Sequence, residues 1–263
     1  MEGAGPVKLA SLRQGGRDGT LIVVDRRLAS AVRVPDVATT LQSALESWDT
    51  AAPRLRAVAK RLEQGDHPDS FPLDPAALAA PLPRAYQWVD GSAFLSHAEL
   101  VRRARGAEMP ETFRSDPLMY QGASDVLLGP RQAIQVADES WGIDLEAEVA
   151  VITGDVPMGA GPERSGASIR LLVLANDVSL RNLIPAELAK GFGFLQAKPA
   201  TAFSPVAVTP DELGAAWDGS SVHLPLRSSV NGRELGRPEA GEDMQFGFPE
   251  LIAHAARTRF LTA

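Results

Sequence analysis

Three acidic residues alternate with apolar residues near the middle of the chain. Asp144, Glu146 and Glu148 are separated by Leu145 and Ala147, and this period of two predicts side chains on one face of a β-strand, about 7 Å apart. Like charges this close repel one another unless water or a cation compensates them. The segment therefore indicates either a solvated sheet face or a binding site for a cation.

Two further carboxylates follow predicted strands. Asp177 comes after residues 169–175, an almost continuous apolar run that predicts a strand buried on both faces, and Asp90 follows Trp88 and Val89. An acid at the end of a buried strand is costly unless something pairs with it. Carboxylate oxygens from several strand ends are the ligands that Mg²⁺ or Ca²⁺ prefers. The pattern thus favours a site for a hard divalent cation.

His97 is a candidate general base. Ser96 and Glu99 fit a capping-box pattern, which predicts that Ser96 is the N-cap and that His97 lies in the first helical turn. The helix dipole disfavours a positively charged imidazole at that position, and a neutral imidazole can take a proton from water. The alternative is a surface histidine that only helps to start a helix.

Lys198 is a candidate functional cation. It follows a glycine-containing segment, residues 191–194, and precedes Pro199, so its backbone lies on a constrained turn. The alternative is that Lys198 is simply solvated, as most lysines are.

The composition excludes several classes of protein. The chain has 263 residues, 26 basic and 33 acidic side chains, and no cysteine. The lack of cysteine excludes disulfides and thiolate chemistry and is typical of a cytoplasmic location. A net charge of −7 argues against a nucleic-acid partner, and no apolar run approaches the roughly 20 residues that a membrane span needs.

Residues 1–83 are predicted to form a small N-terminal α/β domain. Apolar runs at 7–12 and 20–24 flank a glycine-rich turn and predict a β-hairpin. Apolar stripes at helical spacing then predict two helices, the second ending at Gly65. Five prolines between residues 66 and 83 predict a linker.

Residues 84–263 are predicted to form a larger, β-rich domain. Residues 143–152 and 169–175 are its strongest strand candidates. Asn231 and Gly232 favour a tight hairpin turn, because both central residues of such a turn need a positive φ. These strands must position the acidic residues described above.

In their order along the chain, the motifs resemble those of the fumarylacetoacetate hydrolase family. The resemblance runs from about residue 86 to residue 263, and less specifically through the N-terminal part. The matching segments are Asp90 with His97 seven positions later, PLMYQG at 117–122, DLEAE at 144–148, NDVSLR at 176–181 and GFLQAKP at 193–199.

The resemblance implies an α+β, β-rich fold. We expect a mixed β-sandwich or roll like the C-terminal domain of fumarylacetoacetase, preceded by the small N-terminal α/β domain, and a homodimer. The chain stops at Ala263, where family members go on to a Gly-Thr-rich strand and further core strands. The resemblance therefore implies a core that is incomplete at the C-terminus.

The resemblance also implies a role for each candidate residue. One departure is Ser92, which stands where the family has a substrate-contacting tyrosine. The implied metal ligands are Asp90, Glu146, Glu148 and Asp177; the implied catalytic residues are His97 and Lys198; and the implied substrate-binding residues are Tyr120, Arg181 and Lys198.

The resemblance implies a hydrolase that cleaves a carbon–carbon bond in a β-diketo acid. Fumarylacetoacetate, from tyrosine and other aromatic catabolism, is one such substrate, and the implied cofactor is Mg²⁺, with Ca²⁺ or Mn²⁺ as alternatives. The same site serves acylpyruvate hydrolases, oxaloacetate decarboxylases and keto-acid isomerases or hydratases. The remaining alternative is a metal-binding domain that is catalytically inert.

Overall fold

The computed structural model describes residues 5–104 and 111–263. In these ranges the α-helices are α1 (Leu41–Glu46), α2 (Trp48–Glu63), α3 (Leu95–Ala104), α4 (Pro162–Gly166), α5 (Ile184–Leu188) and α6 (Phe248–Ala255). The strands there are β1 (Lys8–Leu12), β2 (Thr20–Val24), β3 (Ser30–Arg33), β4 (Phe71–Pro72), β5 (Trp88–Gly91), β6 (Met119–Gly122), β7 (Ile143–Asp144), β8 (Ala147–Thr153), β9 (Ile169–Asn176), β10 (Ser179–Leu180), β11 (Ala202–Phe203), β12 (Ala207–Val208), β13 (Ser228–Val230) and β14 (Arg233–Gly236). Within these residues, no helix combines the length and the apolar character that crossing a membrane requires.

One eight-stranded antiparallel sheet connects the two regions of the chain. Its order is β11-β9-β12-β1-β2-β3-β4, and β8 pairs with β9. The pairing of β12 with β1 joins the predicted N-terminal hairpin, which is confirmed, to the strands of the C-terminal region. The expected β-rich α+β architecture is therefore confirmed.

The N-terminal strands are buried on both faces. Leu21 and Val23 of β2 point into the main core, beneath α1 and α2, whereas Ile22 and Val24 point to the opposite face. This opposition follows from the period of two along a strand. On the second face the proline-rich linker supplies Leu78, which is 1% exposed. The linker thus covers one side of the sheet.

The predicted strand at residues 143–152 is wrong in one respect, because it is broken after Asp144. β7 pairs with β10, and β8 begins only at Ala147. The Asp144 carboxylate accepts a hydrogen bond from the N–H of Leu145 at 2.9 Å, and such local side-chain bonds compete with strand pairing. The Glu146 N–H donates instead to the side chain of Asn176 at 3.1 Å. Asp144 therefore leaves the line of Glu146 and Glu148.

The contact between the linker and Gly129 yields a test of this packing. A Cβ added at Gly129 would lie 2.6 Å from the carbonyl oxygen of Leu78 and 3.0 Å from the Cα of Ala79. We expect Gly129→Ala to lower the free energy of unfolding by about 1–3 kcal/mol, which thermal unfolding would record as a midpoint about 2–12 °C lower. Gly236→Ala is the matched control, because its nearest atom lies 4.0 Å away. Equal midpoints for the two variants would contradict the packing.

Candidate active site

Four carboxylates converge at one end of the main sheet. Asp90, Glu146, Glu148 and Asp177 each offer an oxygen atom, and these atoms lie within 4.8 Å of one another. Asp177 is buried, and the other three are partly buried. The four acids that the sequence singled out as metal ligands are thus brought together.

Strand pairing places three of the four acids. β8 pairs with β9 so that Glu148 lies opposite Ala175. Just beyond the ends of these two strands, the N–H of Asp177 donates a hydrogen bond of 3.0 Å to the carbonyl oxygen of Glu146. The fourth acid, Asp90, lies on β5 opposite Tyr120 of β6. The Tyr120 hydroxyl donates a hydrogen bond to the Asp177 carboxylate, which links the two-stranded sheet of β5 and β6 to Asp177, the residue that follows β9.

Two cations compensate part of the negative charge. The Lys198 ammonium donates hydrogen bonds to Glu146 at 2.5 Å and to Asp177 at 2.8 Å. Arg181 bonds to Glu146 and, at 2.7 Å, to Asp144. Asp144 is consequently held by Arg181 outside the four-carboxylate cluster. Arg181, expected to bind substrate, forms ion pairs with protein carboxylates.

The cluster still carries more negative charge than Lys198 neutralises. Burial, and then the charge of Asp177, raise the pKa of Asp90 to about 6. Burial, followed by the charges of Asp90 and Asp177, raises the pKa of Glu148 to about 9. Burial lowers the pKa of Lys198, but Asp177 and Glu146 outweigh that effect and raise it. Burial disfavours the charged form of a carboxyl group, and like charges nearby add to that effect.

The donor set fits a hard divalent cation. All four groups are carboxylates, the ligand type that Mg²⁺, Ca²⁺ and Mn²⁺ prefer. Burial, and then mutual repulsion, raise the pKa values of Asp90 and Glu148, and added positive charge would favour the ionised forms of both groups. The residues present therefore suit the cofactor that the sequence motifs implied.

His97 lies on the wall of a cavity that also exposes three of the acids. The cavity has a volume of about 1160 Å³, and its lining includes Asp90, Glu146 and Glu148. His97 is exposed and lies in the first turn of α3, as expected. His97 and three of the four acids thus line the same cavity.

The predicted capping box at Ser96 is wrong. Helix α3 begins at Leu95, so Ser96 is already inside it. The Ser96 N–H donates to the carboxylate of Asp243 at 2.6 Å. Asp243, 147 positions away, therefore satisfies a backbone N–H at the start of α3, as a local N-cap would.

Tyr120, which was expected to bind substrate, contacts the cluster through its hydroxyl and Lys198 through its ring. Its ring makes an edge-to-face contact with Phe194, with 5.1 Å between centroids, and the Lys198 ammonium lies 5.2 Å from its ring centroid. Burial and the charges of Asp90 and Asp177 raise its pKa. Tyr120 therefore remains a neutral hydrogen-bond donor to Asp177.

Thr201 is a further partner of Asp177 that no sequence motif indicated. Its hydroxyl donates to Asp177 at 2.7 Å, and its side chain is almost fully buried. A lone threonine in a loop carries no local signal of such a bond, which spans 24 positions.

Two family models together match almost the whole chain. The Fumarylacetoacetase N-terminal domain 2 matches residues 7–84, and the Fumarylacetoacetate (FAA) hydrolase C-terminal domain matches residues 87–263.

Curated relatives share between a quarter and a third of the aligned residues. An uncharacterized protein of Pyrococcus abyssi is 28% identical over 155 residues, which is 58% of this chain and 64% of the relative. The 2,4-didehydro-3-deoxy-L-rhamnonate hydrolase of a Sphingomonas species is 27% identical over 145 residues, 54% of this chain and 48% of the relative. The chain thus spans less than two thirds of the length of these curated relatives.

Solved structures share the fold. A fumarylacetoacetate hydrolase from Exiguobacterium antarcticum superposes with a TM-score of 0.67 at 19% identity, over 98% of this chain and 83% of that one. A probable 2-hydroxyhepta-2,4-diene-1,7-dioate isomerase from Mycobacterium abscessus gives a TM-score of 0.65 at 19% identity, over 98% and 82%. With a match over residues 87–263 and the four carboxylates of its motifs assembled at one site, the chain belongs to the fumarylacetoacetate hydrolase family.

Proposed function

We propose that this protein is a divalent-metal-dependent hydrolase that cleaves a carbon–carbon bond in a β-diketo acid such as fumarylacetoacetate. The observation that carries the proposal is the four-carboxylate cluster, backed by Lys198 and opening onto the cavity that His97 lines. A cytoplasmic location and a homodimer stay predictions.

In this proposal Asp90, Glu146, Glu148 and Asp177 hold Mg²⁺, with Ca²⁺ or Mn²⁺ as alternatives. When bound, the cation supplies Lewis-acid polarisation of the substrate's oxygen atoms. Lys198 is the protein's own fixed positive charge beside that position, because its ammonium is held by Glu146 and Asp177.

His97 is the proposed general base. It takes a proton from a water molecule in the cavity, and the water oxygen adds to a carbonyl carbon of the substrate. When the adjacent carbon–carbon bond breaks, its electron pair passes to the leaving fragment as an enolate, which Lys198 stabilises. A proton then returns to that fragment, so that one water is consumed for each bond cleaved.

A second candidate function is isomerisation of a keto acid, or hydrolysis of a different keto acid, at the same site. It is favoured by the likeness to the Sphingomonas hydrolase and by structural likeness to isomerases. A panel containing fumarylacetoacetate, an acylpyruvate, oxaloacetate and an unsaturated keto acid separates these reactions. Turnover of the first alone would support the proposal, and turnover of only another panel member would replace it.

The cation site is tested by thermal unfolding with and without Mg²⁺. Metal that binds only the folded state should stabilise it by about 2.7 kcal/mol at 100 times Kd, a midpoint rise of roughly 5–10 °C for a chain of this size. Glu148→Gln removes one carboxylate and should lose most of that rise. Glu163→Gln, an exposed glutamate on α4, is the control and should keep it.

In the absence of metal, the same variant should have the opposite effect on stability. Glu148 has a folded-state pKa of about 9 against an ordinary value of 4.5, so the folded protein binds more protons and loses stability as pH rises between these values. We therefore expect the free energy of unfolding of metal-free Glu148→Gln, relative to that of the native protein, to increase by about 1 kcal/mol or more between pH 5 and pH 8. Parallel unfolding midpoints across this range would show that folding does not raise the pKa of Glu148.

The base is tested by replacing His97. His97→Ala should lower kcat by about 10²–10⁴ fold while leaving the Mg²⁺-dependent rise in unfolding midpoint unchanged, because His97 is not one of the four proposed ligands. His223→Ala is the matched control, since His223 is an exposed histidine that pairs with Asp218 at 2.7 Å. Unchanged turnover in His97→Ala would remove His97 from the role of base.

A further inference from the structure

Glu187 is a buried carboxylate that the proposed chemistry does not use. It lies on α5, and only 6% of the residue is exposed. Its two oxygens accept hydrogen bonds from three consecutive backbone N–H groups: Gln196 at 2.7 Å, Ala197 at 3.1 Å and Leu195 at 3.2 Å to each oxygen. Bonds to an ionised acceptor are stronger than bonds between neutral groups.

These bonds keep Glu187 ionised in spite of its burial. Burial raises the pKa of Glu187, but the hydrogen bonds from Gln196, Ala197 and Leu195 outweigh it and lower the pKa. A carboxylate bound by several N–H groups behaves in this way.

The three bonded residues lead directly into Lys198. Ala197 is fully buried. While its N–H donates to Glu187, its carbonyl oxygen accepts a hydrogen bond from the N–H of Leu180 at 2.8 Å. The peptide before Lys198 is therefore held from α5 on one side and from β10 on the other. Gly191 and Gly193, both at positive φ, let the chain reverse between α5 and this segment.

We propose that Glu187 is a positioning residue for Lys198. By fixing the backbone of residues 195–197, it sets the place from which the Lys198 side chain reaches Glu146 at 2.5 Å and Asp177 at 2.8 Å. The expected effect on turnover rests on the proposed function, whereas the effect on Lys198 itself does not.

The test follows the Lys198 side chain directly. The chain contains only four lysines, at positions 8, 60, 190 and 198, so protein labelled with ¹³C at the lysine Cε atoms gives four NMR signals. The variants Lys8→Arg, Lys60→Arg and Lys190→Arg each remove one signal and assign Lys198 by elimination. Lys60 is exposed and serves as an internal reference for an unconstrained side chain.

In Glu187→Gln, an amide NH₂ replaces one acceptor oxygen and faces backbone donors. We expect the Lys198 signal to shift toward that of Lys60, in metal-free protein and with Mg²⁺. We also expect kcat to fall about 10–100 fold, since displacement of a catalytic group by about 1 Å has that effect, with little change in KM. The Mg²⁺-dependent rise in unfolding midpoint should persist, because the four carboxylates are untouched.

A control separates positioning from general loss of stability. Leu62→Ala removes a buried side chain of the N-terminal core and should lower the unfolding midpoint while leaving the Lys198 signal in place. An unmoved Lys198 signal in Glu187→Gln would overturn the proposal, as would an equal shift in Leu62→Ala. Should Glu187→Gln fail to fold, Glu187→Asp keeps the charge but shortens its reach, and the same shift is expected at smaller amplitude.

The two proposals fail in different ways. If the native protein turns over no member of the substrate panel, the proposed function is wrong, and the Lys198 signal alone decides the role of Glu187. If the native protein is active and the Lys198 signal does not move in the variant, the role of Glu187 is wrong and the proposed function stands.

Discussion

The cost of burying four carboxyl groups side by side is the constraint on which the rest of this structure depends. Two unit charges 4 Å apart repel by about 4 kcal/mol at the effective dielectric constant near a protein surface, and the oxygens of Asp90, Glu146, Glu148 and Asp177 lie within 4.8 Å of one another. Local alternation brings only Glu146 and Glu148 together. The rest of the arrangement must be imposed by strand pairing and by the core beneath it.

Strand β9 is the main structural support of this arrangement. It pairs with β8 over seven residue pairs and also with β11 and β12, and Leu171, Leu172 and Val173 on it are almost completely buried. Through β12 and β1 the same sheet continues into the N-terminal strands and their two helices. Burial of apolar surface far from the site, at about 25 cal/mol per Å², therefore opposes the repulsion between the acids.

The sequence predicted the acids but not all of their surroundings. Alternation with a period of two was enough to place Glu146 and Glu148 on neighbouring positions of one face, and an acid after a buried strand was enough to select Asp177. Asp144 obeys the same alternation, yet its carboxylate bonds to the N–H of Leu145 and to Arg181, 37 positions away, and lies outside the cluster. The bonds made by Asp243, Thr201 and Glu187 likewise depend on partners that no local pattern reveals. Periodicity reports which face a residue occupies, whereas tertiary contacts decide which neighbour it meets there.

Charge compensation at the cluster is divided between two sides. Lys198 and Asp177 are both buried, and their ion pair lies on the side of the cluster away from solvent. Asp90, Glu146 and Glu148 line the cavity, and the two acids with markedly raised pKa values, Asp90 and Glu148, are on that side. The protein thus fixes a positive charge at the buried side of the cluster and turns three carboxyl groups toward the cavity, from which a cation can enter. A cation arriving from the cavity would share Glu146 with two protein cations, because one Glu146 oxygen accepts a bond from Arg181 and the other a bond from Lys198.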